Sequence, residues 1–168
     1  DGTITKKYYC YPWVTGVMGL DYNSTQFEQM GLRVPRTTDE LFDVVCKTIK
    51  DNGKIPFVAS KDNTYDYSLW DVWQTQYYTL EGMDLYWQCK AKDDSGALVY
   101  SENARKDVGE LKYLTAIEKM LSPEYGNMHT NVNTLTFTQA QAQLLLGNAM
   151  MYYCGDWLEN EMRNSKGN

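Results

Sequence analysis

At 168 residues, with a formal net charge of −6 and no block of Lys or Arg, the chain suits one domain with its own core and is unsuited to nucleic acid. No apolar run reaches the roughly 20 residues of a membrane span, and a 43% hydrophobic fraction sets the chain apart from disordered sequences. Aromatic usage leans to rings with a polar edge, 14 Tyr and 5 Trp against 4 Phe, which suit half-exposed surfaces.

The opening DGTITKKYYCYPW shows no charged-then-apolar leader and reads as the start of a strand, so a segment excised from a longer protein is expected. Residues 4–11 and 14–22 read as extended, interrupted at Pro12. Asn23 caps a short helix that Gly31 closes, and this role accounts for the glycosylation-like Asn23-Ser24-Thr25. Thr37 and Glu40 have capping-box spacing. Leu41, Val44, Val45, Thr48 and Ile49 then repeat on one helical face until Asn52-Gly53, with Cys46 as a small buried hydrophobe. The run 55–59 (IPFVA) predicts a strand, and the pair is a helix-to-strand step of an α/β layer.

A polar loop over 60–67 leads to a predicted helix through Leu80, stopped at Glu81-Gly82. Residues 85–101 predict a hairpin turning at Asp93-Asp94-Ser95-Gly96. Val108, Leu111, Leu114 or Thr115, Ile117 and Leu121 mark another amphipathic helix, with Pro123 just beyond it. An irregular stretch, 122–135, follows. Thr136 and Gln139 form a second capping box, starting a helix that ends near Gly147. AMMYYC, 149–154, predicts a buried strand, and a last helix starts at Asp156.

Catalytic and metal patterns are missing. The single histidine, His129, has no visible partner and reads as a solvated loop residue. No phosphate loop, dinucleotide fingerprint, H-E-x-x-H or G-x-S-x-G occurs, so no cofactor, metal or catalytic residue is expected. Asp62, Asn63 and Asp66 lack the Gly and distal Glu of a calcium hand. The cysteines, at 10, 46, 89 and 154, exclude C-x-x-C sites; a Cys10–Cys154 disulfide is open but needs geometry that spacing does not supply.

Aromatic residues cluster beside strand ends and loops: Tyr11-Pro12-Trp13, Tyr65-Asp66-Tyr67 with Trp70, and Gly155-Asp156-Trp157. Ligands of α/β sheets bind outside strand ends, where rings stack on sugar faces and Asp or Asn meets hydroxyls. Each ring can equally be a lid on the core. With 22 acidic residues, a glycosidase-like pair of carboxylates remains a rival reading.

The order of four motifs weighs between these readings. Tyr9-Cys10-Tyr11-Pro12 through Gly19-Leu20-Asp21-Tyr22-Asn23 resembles the first crossover strand of the sugar-type extracellular solute-binding proteins of ABC importers. The stretch from Met30-Gly31-Leu32 through Pro35 and Thr37 to Glu40-Leu41 resembles the start of that family's next helix. Asp51-Asn52-Gly53-Lys54-Ile55-Pro56 is similar to its helix-to-strand turn. The segment from Phe137 through Gln141-Ala142, Gly147-Asn148-Ala149-Met150 and Gly155-Asp156-Trp157 to Leu158 is similar to its signature ending in G-x-W.

The resemblance implies an α/β fold, a single lobe of a periplasmic-binding-protein-like (class II) two-lobed fold, with a central mixed sheet flanked by helices. Residues 1–168 would be most of the second lobe, with the first lobe and the C-terminal helices absent. It implies capture of a carbohydrate or another small solute in an interlobe cleft, without catalysis, for an ABC permease in the membrane. The location would be extracellular, as a cell-surface lipoprotein or a periplasmic protein. By the same resemblance Trp157 stacks on ligand, Tyr11 and Trp13 line the cleft, and Tyr65, Asp66, Tyr67 and Trp70 add contacts. Gly16 stands where maltose-binding members carry a sugar-contacting acid, a loss that Asp156 would replace.

Overall fold

Seven consecutive buried residues, Ala149–Gly155, form the middle strand of a three-stranded sheet. A strand covered on both faces has no polar side to present, which is why AMMYYC shows no alternation. The computed structural model describes residues 16–62, 66–106 and 108–165; the side chains of 66–70 and 164–165 lie outside that description.

In chain order the strands are β1 (Met18–Tyr22), β2 (Ile55–Val58), β3 (Lys90–Lys92), β4 (Leu98–Tyr100) and β5 (Ala149–Gly155). The α-helices are α1 (Ser24–Gln29), α2 (Lys47–Asp51), α3 (Asp66–Thr75), α4 (Leu80–Gln88), α5 (Val108–Leu121), α6 (Phe137–Leu145) and α7 (Leu158–Ser165). The main sheet has the order β1-β5-β2. β1 runs antiparallel to β5 with Met18 opposite Gly155, and β2 runs parallel to it with Phe57 opposite Met151. This is the mixed sheet flanked by helices that the resemblance implied.

Each face of the sheet holds a separate apolar cluster. On one, Phe57, Met151 and Tyr153 meet Phe27, Leu41, Val45 and Ile49, together with Trp73 and the α5 residues Tyr113, Ala116, Ile117 and Met120. On the other, Val58, Tyr152 and Cys154 meet Ala140 and Leu144 of α6, with Trp157 and Leu158 packed against them. The caps behave as their spacing predicts. Asn23 accepts from the Gln26 N–H at 3.0 Å, and its Nδ2 donates to Leu144 O at 3.3 Å, tying α1 to the end of α6. Thr136 and Gln139 complete both arms of a capping box.

Several expectations are corrected. The helix opening at Thr37 first runs as a π-helix, Glu40–Cys46, before α2. Its wider turn brings Leu41, Phe42, Val45 and Cys46 inward and leaves Val44 53% exposed, so the 3.6-residue period mispredicts the face. The Glu40 N–H donates to Thr37 Oγ1, but the Glu40 carboxylate accepts from Arg36 N–H, so only half of the capping box forms. The helix predicted to stop at Glu81-Gly82 is two helices. α3 ends at Thr75, and α4 runs through Gly82 because Thr79 Oγ1 accepts the Gly82 N–H at 3.0 Å.

α4 also takes residues 85–88 out of the predicted hairpin, ending at Cys89 in the left-handed region (φ 55). The hairpin keeps only β3 and β4. Its turn is the predicted one, closed by Asp93 Oδ1 accepting from the N–H groups of Ser95 and Ala97. His129 is a half-exposed loop residue, as expected, and it also ties the loop down: its backbone N–H donates to Phe57 O and its Nδ1 accepts from the Asn131 N–H. Cys46 is buried with its thiol pushed up to about 12 by that burial, and Cys154 is buried as well. Cys10, and with it the open disulfide, lies outside the described residues.

Candidate functional site

The pairing of β1 with β5 continues one step past the strand end. Asp156 N–H donates to Val17 O at 3.0 Å, which carries Gly16 alongside the Gly155-Asp156-Trp157 turn. The sheet therefore brings three residues of the predicted motifs to one corner. A Cβ placed on Gly16 would lie 3.4 Å from both Asp156 Oδ1 and Trp157 Cζ3. Gly16 and Asp156 are exposed and Trp157 is partly buried.

The turn has simple causes. Gly155 ends the buried strand, and α7 starts three residues later with Glu159 and Glu161 in its first turn, where carboxylates favour the helix dipole. The indole is left between strand end and helix start. It packs against the Val58–Tyr152–Cys154 cluster from one side while its benzo ring covers the Gly155 backbone. Trp157 is thus neither a fully buried core residue nor a detached surface ring.

Of the other predicted site residues, Tyr11, Trp13 and Tyr65 lie outside the described residues. Asp66, Tyr67 and Trp70 lie on α3, with side chains outside the description. The corner therefore rests on Trp157, Asp156 and Gly16.

Two hollows flank β1. One, of about 510 Å³, is bounded by Met18, Leu20, Tyr22, Pro35, Tyr77 and Tyr153. The other, of about 610 Å³, lies between β1, α6 and α7 and is bounded by Asp21, Asn23, Leu144, Leu158, Glu159 and Arg163. Neither includes Asp156 or Trp157.

Sequence reasoning missed the environment of Asp21. Opposite Tyr152 in the ladder, it points to the α6–α7 side, and its Oδ2 is buried without a hydrogen-bond partner. Burial, and then the negative charge of Asp156, raise its carboxyl above the ordinary range. Only the G-L-D-Y-N context marks it in the sequence, with nothing to indicate burial.

A folded-state value above the unfolded one gives a stability contribution present at low pH and lost as pH rises through the folded value. Asp21→Asn, which carries no charge at any pH, is expected to be more stable than the unsubstituted protein at pH 7. The advantage should shrink as pH falls toward 4. Urea melts of both proteins across that range check it, and a constant difference would count against the buried carboxylate as the cause.

The model of the bacterial extracellular solute-binding protein family matches residues 1–166. A diacetylchitobiose binding protein from Streptomyces coelicolor is 29% identical over 174 aligned positions, covering 98% of this chain and 32% of that protein. A multiple sugar-binding protein from Streptococcus mutans is 37% identical over 57 residues, 34% of this chain and 13% of its own length. The apo form of RafE from Streptococcus pneumoniae superimposes with a TM-score of 0.66 at 23% identity, covering 90% of this chain and 36% of that one. A chitin oligosaccharide binding protein gives a TM-score of 0.63 at 20% identity, with 84% and 33% covered. At these identities the structural likeness speaks to fold. The chain spans about a third of the length of the relative that it matches end to end.

Proposed function

Because the chain belongs to the bacterial extracellular solute-binding protein family, we propose that the complete protein captures an oligosaccharide outside the cytoplasmic membrane. It presents the sugar to an ABC permease without altering it. The residues described above form one lobe, and a second lobe faces the Gly16–Asp156–Trp157 corner across a cleft. Hinge closure then buries the sugar between them. The protein resides in the periplasm or on the cell surface as a lipoprotein.

One observation carries the reading: a partly buried indole and an exposed carboxylate sit together at the carboxyl end of the central strand. That is where ligands of α/β sheets bind. The ring supplies an apolar platform for a pyranose face, and Asp156 accepts from its hydroxyls. Gly16 adds no side chain, so the ring edge and the carboxylate face the cleft together.

Titration of the complete protein with raffinose and N,N′-diacetylchitobiose, by calorimetry, tests the proposal. These sugars are named with a RafE complex and with the Streptomyces relative. Saturable binding with the sugar recovered unchanged is expected. Release of cleaved product would replace capture by a carbohydrate-processing activity. Failure of both sugars, and of a broader oligosaccharide panel, to bind would leave a structural surface domain.

A further inference from the structure

Gly155 has no backbone reason to be glycine. Among the described residues the positive-φ glycines are Gly31, Gly53, Gly96, Gly126 and Gly147, and Gly155 is not one of them. It sits in regular β geometry opposite Met18, in a strand where any residue could stand. The constraint comes from the indole. A Cβ on Gly155 would fall 2.2 Å from Trp157 Cζ3, 2.4 Å from Cη2 and 2.5 Å from Cε3. Near-equal closeness to three successive ring atoms puts that position over the face of the benzo ring, since a point off its rim would approach only one of them. Ordinary contact begins at 3.4 Å, so a methyl group would have to drive the ring away by more than an ångström. The strand is tied down at this point: β1 pairs with β5 as far as Met18 opposite Gly155, and the next residue's N–H, on Asp156, donates to Val17 O at 3.0 Å.

We infer that Gly155 is a positioning residue for the ligand-facing indole: its missing side chain sets the plane and depth at which Trp157 is held. Gly16 has the complementary part. Its backbone flanks the same ring atom at a distance a Cβ would tolerate, so glycine there is not required for packing. Its effect is to add no side chain beside the ring edge and Asp156. The contribution to sugar binding rests on the functional reading above; the control of ring pose does not.

The test is a double-mutant cycle in the complete protein, Gly155→Ala with and without Trp157→Ala. It is read by thermal melting and by the fluorine NMR signal of 5-fluorotryptophan at position 157, assigned by its loss in Trp157→Phe. Gly155→Ala alone is expected to shift that signal, lower the melting temperature and weaken sugar binding about tenfold, the scale of overpacking a close contact. In the Trp157→Ala background the same methyl meets no ring, and Gly155→Ala should leave the melting temperature unchanged.

An unmoved fluorine signal in Gly155→Ala, or an equal loss of stability in both backgrounds, would overturn the inference. If Gly155→Ala does not fold, recovery of folding in the double variant supports it, and a double variant that also fails to fold overturns it. Raffinose and diacetylchitobiose titrations run in parallel separate the two claims. An unsubstituted protein that binds neither sugar counts against the functional reading, while the melting and fluorine cycle still decides the role of Gly155.

Discussion

Trp157→Ala is expected to weaken oligosaccharide binding by the complete protein by about 1–3 kcal/mol, roughly a 5- to 150-fold rise in Kd, the range of a hot-spot aromatic. The size follows from two properties of the ring. It is held in one pose by the Gly155 backbone and by the cluster beneath it, so little freedom is lost when a sugar settles on it. It is also partly buried already, so its packing side is fixed before any ligand arrives. That packing makes a stability loss part of the expected result, on the order of 1 kcal/mol for the apolar contact removed. Calorimetry and melting on the same samples keep the two effects apart. Melting that drops while sugar affinity holds would mark Trp157 as a lid on the smaller cluster and nothing more. Trp157→Phe, which keeps a flat ring of smaller area, should fall between.

What could be read in the sequence was what short-range physics decides. Caps at Asn23 and Thr136 were legible because a polar side chain three residues before a backbone N–H has one obvious use. The buried central strand was legible because an apolar run too short for a helix has few other homes. Motif order then supplied the sheet and its flanking helices, which no single segment contains.

The misses came from competition between local signals. Tyr86 and Trp87 favour strands, yet Thr79 at one end and the left-handed Cys89 at the other hold them in a helix. Val44 fits a regular helical face and is exposed because the turn around it is π-helical. The burial of Asp21 depends on which face of β1 meets α6, and a strand of five residues does not announce that. At the site, Gly155-Asp156-Trp157 was visible as a motif, but glycine before a turn explains itself so readily that its contact with the ring did not show. Only the distance from ring to backbone distinguishes the two reasons.

Phe57→Ala is expected to cost about 3–5 kcal/mol of stability, the largest loss predicted for a single substitution here. Phe57 is completely buried. Its ring meets Phe42 edge-on with centroids 6.3 Å apart, and Phe42 stacks on Trp73 at 6.1 Å and 10°. Truncation would leave a cavity beside aromatic neighbours that are anchored on two different elements, the π-helix and α3, and cannot collapse together to fill it. The backbone at this point is held too: Phe57 N–H donates to Asn127 O and its carbonyl accepts from His129 N–H, both at 2.8 Å. The strand therefore stays in place around the void rather than sliding to close it. Against a typical domain stability of about 5–15 kcal/mol, this loss brings unfolding close to ambient temperature.

Sugar affinity of the protein that remains folded should nevertheless be unchanged. Phe57 stands opposite Met151 on the larger cluster, whereas the indole packs on the smaller one. Urea melts of Phe57→Ala, paired with calorimetry at low temperature, check both halves. A parallel fall in affinity would mean that the packing of β2 against β5 fixes the Asp156–Trp157 corner. In that case the two substitutions, which should add when combined if the clusters are independent, would show coupling.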